Sequence, residues 1–137
     1  MAVVCLGVLA GCAPEQASRA EQTAPASLEE QLARGEEIYG QACALCHYGG
    51  EATPVAPALH GSPSLAGPAE KVMGIILHGQ RGVSEVNGKK FGGIMPAQAY
   101  LTDEEVAAVA AYVRKEFGGV AEKIEGGRAA GVRATAQ

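Results

Sequence analysis

Apolar residues recur at three- and four-residue spacing in three stretches of the 137-residue chain. The first opens on Ser27-Leu28-Glu29-Glu30, a capping box in which the Ser27 hydroxyl and the Glu30 carboxylate satisfy backbone N–H groups at a helix start. Leu28, Leu32, Gly35, Ile38, Tyr39, Ala42 and Cys43 then mark one apolar face and predict a helix running to about Cys46. The second stretch lies between Gly67-Pro68 and Gly79, with proline at its start and glycine just past its end. Val72, Ile75 and Ile76 form its inward face. The third opens on a second capping box, Thr102 with Glu105, and presents Val106, Val109, Ala110, Tyr112 and Val113 before Phe117 and Gly118-Gly119 end it. Between the last two, Asn87-Gly88 separates two short runs within Val83–Phe91, the signature of a β-hairpin with a type I′ turn.

The remaining segments lack that periodicity. Thr53 to Gly61 is proline-rich and predicts an irregular loop, and Ala13 to Ala26 reads as a flexible tether with too little apolar surface to offset its ordering entropy. Val120 to Gln137 alternates glycine, alanine and charges, and is expected to be a mobile tail with one fragmentary helix. Ala2 to Gly11 is nearly all apolar but too short to span a bilayer. It ends in Leu9-Ala10-Gly11-Cys12, which resembles the lipobox of bacterial lipoproteins. That resemblance implies cleavage before Cys12, loss of Cys5 and a lipid anchor on Cys12, in an exported protein held to a bacterial membrane. No Lys or Arg precedes the apolar run, as expected if translation starts further upstream. The organisation read from the chain is thus a signal peptide over 1–11, a tether over 12–27, a folded domain over 28–118 and a tail over 119–137.

A folded body under a hundred residues long is marginal on surface-to-volume grounds. The chain has two phenylalanines, four tyrosines and no tryptophan, so a large apolar cofactor in its middle would supply core that the side chains lack. A net charge of −4, with no basic stripe interleaved with aromatics, excludes a nucleic-acid partner.

Candidate chemistry centres on Cys43-Ala44-Leu45-Cys46-His47. Two thiols three positions apart with an adjoining imidazole are the attachment pattern of a c-type haem, each sulfur adding to a vinyl group and the histidine binding iron. Taken alone, the pair also reads as a redox dithiol or as half of a zinc site, which would need two more spaced Cys or His ligands. Gly92-Gly93-Ile94-Met95-Pro96 offers a second iron ligand, a thioether in a glycine-rich stretch before the last helix.

Taken together, these features resemble the class I cytochromes c, over about Ala33 to Phe117. Gly35 and Tyr39 stand eight and four positions before Cys43, where that family has a small residue and an aromatic. Val109 and Tyr112 match the aliphatic and aromatic with which its last helix crosses the first. The resemblance implies an all-α cytochrome c fold, with about three main helices around one covalent haem c and a small hairpin before the methionine. It implies thioether links at Cys43 and Cys46, His47 and Met95 as axial ligands, and the Pro57 carbonyl as acceptor for the His47 imidazole. Met73 is the rival thioether, read as core packing; His60 reads as a loop residue and His78 as a helix-terminal one. The implied function is one-electron transfer between redox protein partners that dock at the haem edge, without a small-molecule substrate and without catalysis. Lys89 and Lys90, beside the hairpin turn, read as solvated hairpin residues, with a small positive spot near that edge as the alternative. Two other readings remain: a fixed haem subunit of an oxidase or dehydrogenase complex, and a haem site whose methionine is displaced for ligand binding or peroxidase chemistry.

Overall fold

The computed structural model of the chain describes residues 24, 25 and 27–135. The apolar N-terminal run, Cys5, Cys12 and nearly all of the tether lie outside the described residues. Within them the order is α1 (Leu28–Ala42), α2 (Pro63–Ala66), α3 (Ala69–His78), β1 (Gln80–Val86), β2 (Lys89–Met95), α4 (Asp103–Gly118) and α5 (Gly126–Ala134), with a 3₁₀ turn at Tyr48–Gly50. Both capping boxes form as the sequence predicts, Ser27 with Glu30 and Thr102 with Glu105. The three long helices are α1, α3 and α4. The single turn α2, begun by Pro63, lies where the sequence predicts loop, and α5 is a packed helix where only a fragmentary one is expected.

Helix α1 stops at Ala42, short of the expected Cys46. The N–H groups of Cys43 and Ala44 both close on the Tyr39 carbonyl, and those of Cys46 and His47 then turn back to the Cys43 carbonyl. Cys43–His47 is therefore a compact turn of its own, which leads the chain off the helix axis.

Strands β1 and β2 pair antiparallel from Gln80↔Met95 to Val86↔Lys89. Asn87 and Gly88 have φ of 53° and 73°, the left-handed pair that a type I′ turn demands. Met95 is the last residue of β2 itself.

Helices α1 and α4 cross at Gly35. A Cβ there would stand 2.2 Å from the Ala108 carbonyl oxygen and 2.6 Å from Tyr112 Cβ, so no side chain fits. Tyr112 is the neighbour expected, but the backbone in contact is that of Ala108; Val109 turns to the cavity described below. Helix α4 is buried on nearly every side, from Glu105 to Ala111 and again at Val113 and Arg114. Alanine at 107, 108, 110 and 111 lets neighbouring elements approach it closely from several directions.

The expectation of a mobile tail over 119–137 is corrected by α5. Ile124 and Ala129 are fully buried, and the helix packs on α3 and α4. Gln31, on α1, is equally buried: its amide donates to the Ile124 carbonyl at 2.7 Å and accepts from the Ile124 N–H at 2.9 Å. Buried Arg114 donates to the carbonyls of Leu65 and Gly67 and pairs with Glu122, which also holds Arg128. Arg133 pairs with Asp103 and caps the Ala99 and Leu101 carbonyls. These long-range partners order a segment whose own pattern is weak. Among the described residues, no helix is long and apolar enough to cross a membrane.

Candidate functional site

A cavity of about 600 Å³ opens between the end of α1, the 55–59 loop, α2, α3, the hairpin and α4, within the usual size range of ligand sites. Every helix except α5 contributes to its wall, so α5 is a buttress behind α3 and α4. Cys43, Cys46, His47, Pro57 and Met95, all singled out from the sequence, line this one cavity. So do Val72, Ile75 and Ile76 of α3. Met73 does not; it is fully buried in the core behind them.

The Cys43–His47 turn is fixed from several sides. Tyr39 donates its hydroxyl to the His47 carbonyl, and the Thr53 hydroxyl donates to the Cys46 carbonyl at 2.9 Å. Tyr39 also packs with its ring 5.4 Å from those of Tyr112 and Phe117, and burial raises its pKa. The helix crossing at Gly35 is thereby linked to the turn that carries the two thiols.

His47 Nδ1 is buried without a hydrogen-bond partner. Burial lowers the pKa of the ring, and the nearby Pro57 carbonyl opposes that by favouring the protonated form. The carbonyl thus acts on the imidazole without standing in the geometry of a formed bond. Burial, with Cys46 second, pushes the Cys43 thiol up to about 11. A redox dithiol needs a depressed pKa, so that reading loses ground. Zinc loses ground as well: among the described residues no three Cys, His, Asp or Glu side chains are grouped to hold a metal ion.

On the facing hairpin, inward positions alternate with outward ones. Ser84, Val86, Phe91 and Met95 are half-buried, whereas Arg81, Val83, Glu85, Lys90, Gly92 and Ile94 are exposed. Gly82 and Gly93 are cross-strand partners on the inward side. A Cβ at Gly82 would meet nothing within 4 Å, and one at Gly93 only the Val55 carbonyl at 3.8 Å. The wall is therefore recessed where a flat group could lie.

Two positions that the motifs did not reveal set the main chain at Met95. Gly79 has φ 73°, and a Cβ there would stand 2.5 Å from the Met95 carbonyl oxygen, so its bareness lets the end of β2 close on α3. In the sequence it signalled only a helix stop. Gln98 ties the chain beyond Met95, through its N–H to the Ile76 carbonyl at 2.8 Å and its side chain to the Pro96 carbonyl.

What fold and cavity define is a small helical domain folded around one cavity that two thiols, an imidazole and a thioether line. Comparison with known proteins makes this specific. The family described as cytochrome C oxidase, cbb3-type, subunit III matches residues 30–113. Two cytochromes c-552 of Thermus thermophilus are each 40% identical over 100 residues. The matches cover 69% of this chain, and 75% and 66% of the two relatives. The chain belongs to this cytochrome c family as a monohaem member, and its cofactor is covalently bound haem c. The residues present fit that group: paired thiols on one wall, an orphaned imidazole nitrogen beside a carbonyl, a recessed glycine wall and an apolar lining from α3 and α4. Members of the family carry electrons, and the α-helical architecture with its two-stranded sheet agrees with a cytochrome c fold.

Proposed function

We propose that this protein is a membrane-tethered one-electron carrier in which His47 and Met95 would hold the haem iron. The observation that carries the reading is the convergence of Cys43, Cys46, His47 and Met95 on one cavity, with the competing thioether of Met73 sealed in the core outside it. Haem c supplies a one-electron ferric/ferrous couple. Around it, Cys43 and Cys46 hold the group by two thioether bonds, so it stays in place through each turnover. His47 offers its ring, and the Pro57 carbonyl would accept from Nδ1 and so fix the tautomer that leaves Nε2 for the metal. Met95 offers a soft sulfur, which favours the reduced state relative to a second nitrogen ligand. Val72, Ile75, Ile76 and Val109 give the cavity apolar walls, which around a bound haem would exclude water and limit reorganisation when the charge changes. With His47 and Met95 both holding the iron, small molecules would find no open site on it.

Cys12 carries the lipid anchor in this reading, and the tether over 12–27 lets an exported domain meet redox partners above a bacterial membrane. Cytochrome c domains of this kind work outside the cytoplasm. A second reading, as a fixed subunit of a terminal oxidase or dehydrogenase complex, is favoured by the likeness of residues 30–113 to the oxidase subunit III family. Intact mass and visible spectra in both oxidation states test the proposal. It expects one haem, one diacylglycerol group and red absorption of the ferric state from methionine ligation. A spectrum insensitive to oxidation state, or one that added CO or cyanide alters at once, sinks the carrier reading; co-purification with a large membrane complex favours the second.

A further inference from the structure

Met95 ends β2, and the irregular backbone of 96–102 separates it from α4. A thioether is a neutral, weak donor, so the backbone that carries it decides how firmly it is held on a metal. One hold on that backbone comes from α3. The Gln98 N–H reaches the Ile76 carbonyl at 2.8 Å, and the bare Gly79 admits both the Met95 carbonyl oxygen and the Ala97 nitrogen, which would stand 2.5 Å and 2.9 Å from a Cβ there. The Leu101 N–H then closes a turn on the Gln98 carbonyl at 3.1 Å, and the Leu101 side chain is buried.

The other hold comes from α5 and rests on one side chain. Arg133, in the last turn of that helix, donates from Nη1 to the Ala99 carbonyl at 2.9 Å, from Nη2 to the Leu101 carbonyl at 2.6 Å and from Nε to the Asp103 carboxylate at 2.8 Å. Every nitrogen of the guanidinium is used, and together they span the connection from its middle to the first residue of α4. The rigid fork of arginine suits such a set, which the single ammonium of lysine cannot reproduce. The turn that carries Arg133 is itself seated on α3: Val132 packs against the core, its Cγ1 would stand 3.7 Å from a Cβ at Gly74, and its carbonyl lies 3.3 Å from His78 Nε2. The second arginine clamp of α5, Arg128, goes elsewhere, to Glu70 and Glu122.

We propose that Arg133 is a positioning residue for Met95: from the C-terminal helix it fixes the connection behind the thioether and so slows departure of that sulfur from the metal. The inference rests on the carrier reading above, in which Met95 is an iron ligand, and adds a residue to which the sequence attaches no chemistry. The route between the two is made of named bonds. It runs from the guanidinium to the Leu101 carbonyl, through the turn that Leu101 closes on Gln98, and from the Gln98 amide to the Pro96 carbonyl next to Met95. Without Arg133 the Ala99 and Leu101 carbonyls turn to water and only α3 holds the connection, so it opens locally more often.

The test is the rate at which saturating potassium cyanide binds the ferric full-length holoprotein, read beside amide hydrogen exchange of the same samples. In that reaction the Met95 sulfur leaves the iron and the cyanide carbon takes its place; the iron stays ferric, so no oxidant or reductant is consumed. Arg133→Gln is expected to speed cyanide binding by about tenfold or more, the size set by losing hydrogen bonds from a charged donor, and to lower protection of the Gln98 and Leu101 amides. Arg128→Gln loosens the same helix at contacts away from 96–102, and its cyanide rate stays within about twofold of wild type, as for exposed ion pairs. Arg133→Lys keeps a charge beside Asp103 without the fork, so its rate falls between wild type and Arg133→Gln; should Arg133→Gln fail to fold, a wild-type rate in Arg133→Lys overturns the proposal. Equal acceleration by Arg133→Gln and Arg128→Gln overturns it too, because Arg133 then acts only through the stability of α5. So does faster cyanide binding with Gln98 and Leu101 protection unchanged. A wild-type protein that takes cyanide at once, or whose ferric form lacks the red methionine absorption, overturns the carrier reading as well; slow wild-type binding that no Arg133 variant alters removes only Arg133.

Discussion

Gly35 shows how a single residue carries the fold. Alanine would gain about 1 kcal/mol of helix propensity at an open position. Here its Cβ would stand 2.2 Å from the Ala108 carbonyl oxygen, backbone that cannot give way without moving α4. Gly35→Ala is therefore expected to destabilise the protein by about 1–3 kcal/mol, the usual cost of overpacking, read as a lower urea midpoint. The two methionines separate on the same scale. Met73 is fully buried among core side chains, so Met73→Ala should cost about 2–5 kcal/mol while leaving the ligation spectrum of the holoprotein unchanged. The residues of the site were legible because each had a chemical signature at a fixed spacing: two thiols and an imidazole, then a thioether before the last helix. Gly79 and Gln98 had none. Their work is done through backbone proximity to Met95 and Ile76, contacts that exist only after the chain has folded back on itself.

Among the elements, those with their own caps and period were readable in advance: α1, α3, α4 and the hairpin. The end of α1 was not, because the residues around Cys43 continue the apolar spacing while their backbone turns away. Helix α5 was missed for a different reason. Its sequence, Gly-Gly-Arg-Ala-Ala-Gly-Val-Arg-Ala, has little apolar face, and its order comes from distant partners, Glu122 and Glu70 for Arg128 and Asp103 for Arg133. Gln31 is the decisive link, since a buried amide at the start of the chain closes both polar groups of Ile124. Gln31→Leu leaves that N–H and that carbonyl unpaired and buried, each costing about 1–3 kcal/mol. Amide hydrogen exchange should then rise first over residues 120–134, with α1 and α4 still protected. Uniform loss of protection would show instead that α5 does not open separately.

For the whole molecule, the carboxylates that hold this C-terminal clamp set the response to acid. Hydrogen bonds from Arg114 and then Arg128 depress the Glu122 pKa, and Arg128 depresses that of Glu70. At Glu105 burial pushes the pKa up, but Thr102 and Arg34 outweigh it and the net shift is downward. Groups depressed on folding stabilise the native state above their unfolded pKa, near the ordinary glutamate value of 4.5. That contribution is lost as pH falls through the folded values. Stability should accordingly decline as pH drops below about 4.5, and Glu122→Gln should flatten the decline. An unaltered slope in that variant would remove Glu122 from the account.

The central proposal for the molecule is that Met95 and His47, which line one cavity, would both hold the haem iron. The most direct measurement is the visible and near-infrared spectrum of ferric Met95→Ala holoprotein, with its intact mass. The account predicts covalent haem retained at full stoichiometry and the red methionine-to-iron absorption lost. Persistence of that absorption in Met95→Ala would contradict it and return the sixth position to Met73.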